Sequence, residues 1–323
     1  MQTNATLQVR IARKHTEAQD ICSLELVPLD GHSLPAFTAG AHIDLHLPGG
    51  LVRQYSLCND PADAASYVVG VLRDAASRGG SAAVHEQLGE GQQITIGAPR
   101  NLFALHAGRP ARHLLLAGGI GITPILAMAR QLAREGADFE LHYCARSRDR
   151  MAFAGLLQSM PWAGQVHLHL DDEAANGALD MAALLGRPQQ DLHLYVCGPR
   201  GFMDAALDQA RASGWEESRL HYEFFAGEAA VREGDAGFEV EVASTGQVVR
   251  VAPEQTVVQA LAAIGVEVQT SCEQGVCGTC LTRVLSGQPE HRDMYLTEDE
   301  QAACDQFLPC CSRAKSSRLV LDL

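Results

Sequence analysis

The sequence predicts a multidomain chain: an antiparallel β-barrel, then a doubly wound parallel α/β sheet, then a small module built around a cysteine-rich loop. Three observations carry this. From Thr6 to about Leu105 the chain is a run of short alternating strands separated by turn residues, the pattern of a barrel. From His113 to Ala212 apolar strands alternate with helical segments, the pattern of a parallel sheet with crossover helices. Beyond the polar, glycine-punctuated stretch Gly227–Gly237, a hairpin and a helix lead into Ser271–Cys280, where cysteines recur at short intervals. The expected domains are residues 1–106, 107–228 and 238–323, with a linker at 229–237.

Composition narrows the function classes. With 323 residues, 46% hydrophobic and 20% charged, the chain has enough material for two or three ordinary cores. A net charge of −14 argues against non-specific nucleic-acid binding. The longest apolar run, Leu114–Ala129, is broken by Gly118, Gly119, Gly121 and Pro124 and is too short to span a bilayer, so no membrane partner is expected. Met1–Thr6 lacks the basic-then-apolar pattern of a secretory leader. The ten cysteines are therefore expected reduced, in the cytoplasm.

In the first domain, strands are predicted at Leu7–Ile11, Ile21–Leu26, His42–Leu47, Arg53–Cys58, Tyr67–Leu72 and Gln93–Ile96, with one helix at Ser81–Leu88. Arg53-Gln54-Tyr55-Ser56 puts a cation and an aromatic ring on one face of a strand and a hydroxyl on the other. Ser77-Arg78-Gly79-Gly80-Ser81 is a glycine turn opening a helix, suited to a phosphate. Each has an ordinary reading too, as a plain strand and as an N-cap with Ser81 capping.

In the second domain, His113–Gly118 is an apolar strand running through Gly118-Gly119-Ile120-Gly121-Ile122-Thr123-Pro124 into a helix. A strand, glycine turn and helix start make a pyrophosphate site, because the helix N–H groups and dipole favour an anion. Strands follow at Phe139–Cys144, Val166–Leu170 and Leu192–Cys197, with helices at Met151–Ser159, Met181–Leu185 and Gly201–Ala212. The last strand delivers Cys197-Gly198-Pro199 to the carboxyl edge of the sheet, where such folds bind ligands.

In the third domain, Phe238–Val242 and Val248–Val251 read as a hairpin, Val257–Ile264 as a helix and Leu281–Leu285 as a strand. Cys272, Cys277 and Cys280 form a C-x₄-C-x₂-C run, answered by Cys310 or Cys311, with Cys304 a weaker competitor. That spacing is the plant-type pattern for a [2Fe–2S] cluster and fits a zinc module poorly. Gly275 and Gly278 supply the positive-φ positions that let the loop curl and aim its N–H groups at the sulfurs. The acidic stretch Thr297-Glu298-Asp299-Glu300 is expected to open a helix.

Together these motifs resemble the ferredoxin–NADP⁺ reductase superfamily followed by a plant-type ferredoxin of β-grasp fold. That order, over essentially the whole chain, resembles the phthalate dioxygenase reductase family, the reductase components of two-component Rieske oxygenases. Arg53–Asn59, Ser271–Cys280, His291-Arg292-Asp293 and Leu319–Leu323 add a likeness to its vanillate O-demethylase members, and carnitine monooxygenase reductases share much of the pattern. The resemblance implies FMN, with Tyr55 and Ser56 along the flavin ring, Arg53 on its phosphate, and Gly79, Gly80 and Ser81 completing the phosphate site. It implies NADH at Gly118, Gly119, Gly121 and Thr123, with Cys197, Gly198 and Pro199 beside the nicotinamide. Ser56, Thr123 and Cys197 are then expected nearest the transferred hydride, and Phe225 as the aromatic closing on the flavin. Cys310 is implied as the fourth cluster ligand. Arg146 and Arg148 stand where a 2′-phosphate would be read, but arginines after strands are usually solvated, and the family mostly uses NADH. The implied electron path runs from NADH to FMN, to the [2Fe–2S] cluster, to a Rieske oxygenase component. A haem or diiron acceptor, and a carrier subunit without its own NADH turnover, are the alternatives.

Overall fold

The fold is given by a computed structural model describing every residue except 1–5, 30, 32, 64, 75–78, 107–111, 174–176, 190, 226–231 and 233. Ser77, Arg78 and much of the expected linker therefore lie outside the described residues. The chain divides into two compact units, residues 1–223 and 224–323.

The first unit opens with six strands: β1 (Thr6–Ala18), β2 (Ile21–Pro28), β3 (His42–His46), β4 (Val52–Ser56), β5 (Tyr67–Leu72) and β6 (Gln93–Gly97). They run antiparallel in the order β4-β3-β6-β1-β2-β5. The sheet closes on itself because β4 continues into Leu57, which bridges Val69, while the Cys58 amide donates to the Val68 carbonyl at 2.9 Å. The predicted barrel is thus present. Alternation sends Val9, Ile11, Leu24, Leu26, Ile43, Leu45, Val69 and Ile96 inward, where each is fully buried. Helix α1 (Gly80–Gln87) begins one residue before the predicted start, because Gly79 takes a left-handed φ of 89° and serves as its N-cap.

The same unit continues with β7 (Arg112–Gly118), α2 (Ile122–Glu135), β8 (Phe139–Ala145), α3 (Ala154–Ser159), β9 (Val166–Leu170), α4 (Met181–Leu185), β10 (Leu192–Cys197), α5 (Arg200–Ala212) and β11 (Leu220–Glu223). All five strands are parallel, in the order β11-β10-β7-β8-β9. The winding reverses between β7 and β10, so their carboxyl ends frame the crevice. Helix α3 is shorter than the predicted Met151–Ser159. Phe153 adopts φ 60° and buries its ring, which comes up against Gly70 of the barrel, so packing there replaces the first helical turn. Strand β11 was not predicted; it is a four-residue edge strand preceded by the charged Glu216–Arg219 and alternates too briefly to register.

The second unit holds β12 (Phe238–Val242), β13 (Gln247–Val251), α6 (Val257–Ala263), β14 (Thr282–Ser286), β15 (Pro289–Glu290), α7 (Glu298–Ala303), β16 (Gln306–Phe307), β17 (Arg313–Ala314) and β18 (Arg318–Leu321). The main sheet is β13-β12-β18-β14-β16, with β12 and β18 parallel and α6 packed on its core face. This is the expected β-grasp arrangement. Thr256 and Gln259 form a capping box at α6, and Thr297 and Glu300 form one at α7, where the acidic stretch does open a helix. Asp235, within the expected linker, is anchored instead. The Arg292 guanidinium grips its carboxylate at 2.8 and 2.6 Å, and Arg313 lies 3.4 Å away. These pairs are buried, and the arginines hold the Asp235 carboxyl down at about 2.

Candidate functional site

Three sets of predicted residues come together, two in the first unit and one in the second. On the barrel, Arg53 and Tyr55 project from one face of β4. Arg53 lies across the start of α1 so closely that a Cβ on Gly80 would fall 2.5 Å from its Cγ and 2.9 Å from its Nε. Glycine is required there to let the guanidinium reach the helix N-terminus, where amides and dipole favour a phosphate. Ser81 is second in the helix rather than its cap, and its hydroxyl accepts from the Asp74 amide at 3.1 Å. Burial pushes the Tyr55 phenol up to about 12. Gln54 buries its Nε2 with no hydrogen-bond partner among the described residues. A cation at a helix start, an aromatic ring and an unpaired amide along one strand suit a planar, phosphate-bearing cofactor such as FMN.

The second set frames the crevice of the parallel sheet. Gly118, Gly119 and Gly121 lead into α2, and Gly121 packs against the Cys197-Gly198 turn: an added Cβ would sit 2.2 Å from the Cys197 carbonyl oxygen. Pro199 caps α5 in extended conformation. Thr123 is 2% exposed, its hydroxyl donates to the Ile120 carbonyl at 3.0 Å, and its methyl meets Gly70 of β5. Its polar atom is committed to the turn. Cys197 is fully buried, and its thiol donates to the Glu223 carbonyl at 3.3 Å.

Glu223, next to Phe224 and Phe225, is a site residue that the sequence analysis does not single out. The structure brings its carboxyl to the Ser56 hydroxyl, with which it hydrogen-bonds, and 3.9 Å from His42 Nδ1. Its Oε2 and His42 Nε2 are both buried without hydrogen-bond partners among the described residues. Ser56 from the barrel therefore meets the Glu223 carboxyl, and Cys197 from the parallel sheet meets the backbone carbonyl of the same residue. The signal that could have revealed it was the charge itself, a glutamate set among aromatic residues in Tyr222-Glu223-Phe224-Phe225. Arg148, a candidate phosphate reader, is paired with Glu173 at 3.3 Å, and Arg146 is exposed. Phe225, half-buried, lies at the start of the second unit.

Burial holds the Glu223 carboxyl up to about 8, against an ordinary 4.5. Because the folded state keeps the proton that the unfolded state gives up, this contribution to stability is complete below about pH 4.5 and eroded as pH climbs to about 8. Burial lowers His42 to about 4, an effect confined to pH below 6.5. Between pH 6.5 and 8, then, the thermal midpoint of the flavin-loaded protein should fall less steeply in Glu223→Gln than in the unmodified chain. Parallel slopes in differential scanning calorimetry would exclude a neutral Glu223.

The third set is the cysteine loop of the second unit. Glu273, Gly275 and Gly278 take φ of 54°, 73° and 70°, curling the backbone as expected. The Gln274 amide donates to Cys272 Sγ at 3.3 Å and the Thr279 amide to Cys277 Sγ at 3.5 Å. Cys272 hydrogen-bonds Cys277, and Cys310 hydrogen-bonds both Cys280 and Cys311. Cys311 is buried, with its Sγ toward the Leu308 carbonyl and the Ser312 hydroxyl, both at 3.7 Å. Cys304 ends α7, its thiol donating to the Gln301 carbonyl at 3.4 Å. Four convergent thiols with amides aimed at their sulfurs are the donor set a [2Fe–2S] cluster uses.

The comparisons with known proteins fall on the same residues. Residues 115–208 match the family model for an oxidoreductase NAD-binding domain, and residues 240–315 that for a 2Fe-2S iron-sulfur cluster binding domain. A vanillate O-demethylase oxidoreductase of Pseudomonas sp. (strain HR199 / DSM 7063) is 55% identical over 317 residues, covering 98% of this chain and 100% of that one. A solved phthalate dioxygenase reductase superposes with a TM-score of 0.82 at 38% identity, over 100% of this chain and 99% of that one. A type IV self-sufficient cytochrome P450 monooxygenase superposes with a TM-score of 0.78 at 38% identity, over 98% of this chain and 41% of its own. No helix among the described residues is long and apolar enough to cross a membrane.

Proposed function

The chain belongs to the phthalate dioxygenase reductase family, and from that premise we propose that it feeds the Rieske component of a two-component oxygenase acting on an aromatic acid. It is an NADH-dependent flavin iron–sulfur oxidoreductase, using FMN and a [2Fe–2S] cluster to pass electrons to an oxygenase. When bound, these cofactors divide the electron pair of a hydride into single-electron transfers. Arg53 and the Gly79-Gly80 turn hold the flavin phosphate, and Tyr55 and Ser56 flank the ring. The Gly118–Gly121 turn and the N-terminus of α2 hold the pyrophosphate of NADH. Cys197 and Ser56, tied through Glu223, orient the nicotinamide against the flavin strand. Glu223 keeps its proton near neutral pH, so that this junction carries no anion. Thr123 fixes the turn through Ile120 and meets the barrel through Gly70, and on this reading it positions rather than touches the dinucleotide. Cys272, Cys277, Cys280 and Cys310 ligate the cluster, and their need to stay reduced favours a cytoplasmic setting. The residue ranges 1–106, 107–228 and 238–323 serve as flavin, nucleotide and ferredoxin domains.

The single observation that carries the reading is one chain holding both the Ser56–Glu223–Cys197 junction and the four-thiol loop. Its test is an anaerobic NADH titration followed by visible spectroscopy, then addition of purified acceptor. Flavin and iron–sulfur bands should bleach together, mass spectrometry should find released FMN, and a vanillate-type Rieske component should then be reduced. The cytochrome P450 likeness makes a haem monooxygenase the second acceptor to try. Reduction of that haem protein but not of the Rieske component would overturn the proposed partner.

A further inference from the structure

The sheet of the first unit carries a second cluster of potential ligands, on strands β8 and β9. Glu140 and His142 are two residues apart and so share a face of β8. His167 stands directly opposite His142 in the parallel register, and His169 opposite Cys144. Glu140 Oε1 lies 3.1 Å from His142 Nε2 and 3.1 Å from His167 Nε2, and these three atoms all fall within 4.8 Å of one another. Donors bonded to one tetrahedral ion at about 2.0–2.2 Å sit a little over 3 Å apart, so the set needs only small adjustments to share one.

The hydrogen bonding is compatible with this. His169 Nε2 lies 2.9 Å from His142 Nδ1. A neutral imidazole has one N–H to give, so when His142 Nδ1 donates to His169 its Nε2 presents a lone pair. That lone pair faces Glu140 Oε1 3.1 Å away, an arrangement that one shared cation satisfies. We propose that Glu140, His142 and His167 form a site for one divalent transition-metal ion of the zinc class, with His169 as the positioning residue that fixes the ligating tautomer of His142. Two imidazoles and a carboxylate suit zinc, nickel or copper rather than magnesium or calcium. The exposed side of His167 leaves the fourth coordination position to water, and the ion ties edge strand β9 to β8.

Calorimetric titration of the chelator-treated, desalted holoenzyme with Zn²⁺ alone tests this. One equivalent should bind, and it should disappear in Glu140→Gln and in the surface variant His167→Ala, neither of which removes a core side chain. His169→Ala keeps every ligand and should weaken binding about 10–100-fold, the usual cost of losing a ligand's outer partner. His221→Ala alters the other histidine set among the described residues, His106, His193 and His221, which lacks a carboxylate, and should leave that equivalent intact. The proposal fails if the unmodified protein binds no equivalent. It fails equally if Glu140→Gln and His167→Ala still bind it, or if His221→Ala abolishes it.

Discussion

Cys310→Ser should abolish electron delivery to one-electron acceptors while Cys311→Ala barely alters it. Cys310 is the thiol that reaches Cys280, while Cys311 reaches Cys310, the Leu308 carbonyl and Ser312. Losing a ligand should exceed the 10–100-fold cost of losing a ligand's outer partner, so NADH-driven cytochrome c reduction should fall by at least ~100-fold. The iron–sulfur band should vanish with it. NADH–ferricyanide turnover, which draws on the flavin site of the first unit, should persist in the same preparation. Cys311→Ala removes one buried sulfur and should cost about 1 kcal/mol of stability with the visible spectrum retained. If Cys311→Ala bleached the cluster band and Cys310→Ser kept it, the ligand assignment would be reversed.

Gly121→Ala is expected to have the other large effect, on the nucleotide. The new Cβ would meet the Cys197 carbonyl oxygen at 2.2 Å, its carbon at 2.4 Å and the Gly198 nitrogen at 2.6 Å, all backbone atoms that cannot rotate away. The start of α2 and the turn after β10 must separate, and these are the two edges between which the dinucleotide is proposed to lie. A displacement of about 1 Å at a reacting centre costs on the order of 10²-fold, and kcat/KM for NADH should drop by about that factor. Bound FMN and the iron–sulfur band should be unchanged. Gly201→Ala is the matched control, since nothing lies within 4 Å of its added Cβ and its backbone is already helical. Steady-state kinetics in which both alanine variants matched the unmodified protein would refute the close-approach role of Gly121.

The sequence alone settled those features that depend on local spacing. Alternation along β1–β6 foretold the barrel, and the apolar strand running into Gly118–Pro124 foretold the helix start. The cysteine spacing with Gly275 and Gly278 foretold a loop curled around its own sulfurs, because turn chemistry and φ preference act within a few residues. Only the tertiary structure decided what long-range packing controls. Strand β11 forms because β10 offers it a parallel edge, and that pairing carries Glu223 to Ser56 and Cys197, residues far away in the chain. Phe153 gives up a helical turn to pack at Gly70, and Asp235 leaves an apparent linker for Arg292 and Arg313. Periodicity encodes which face of an element is buried; it does not encode which distant element will cover that face, and the energies that choose among partners arise only when the chain has closed on itself.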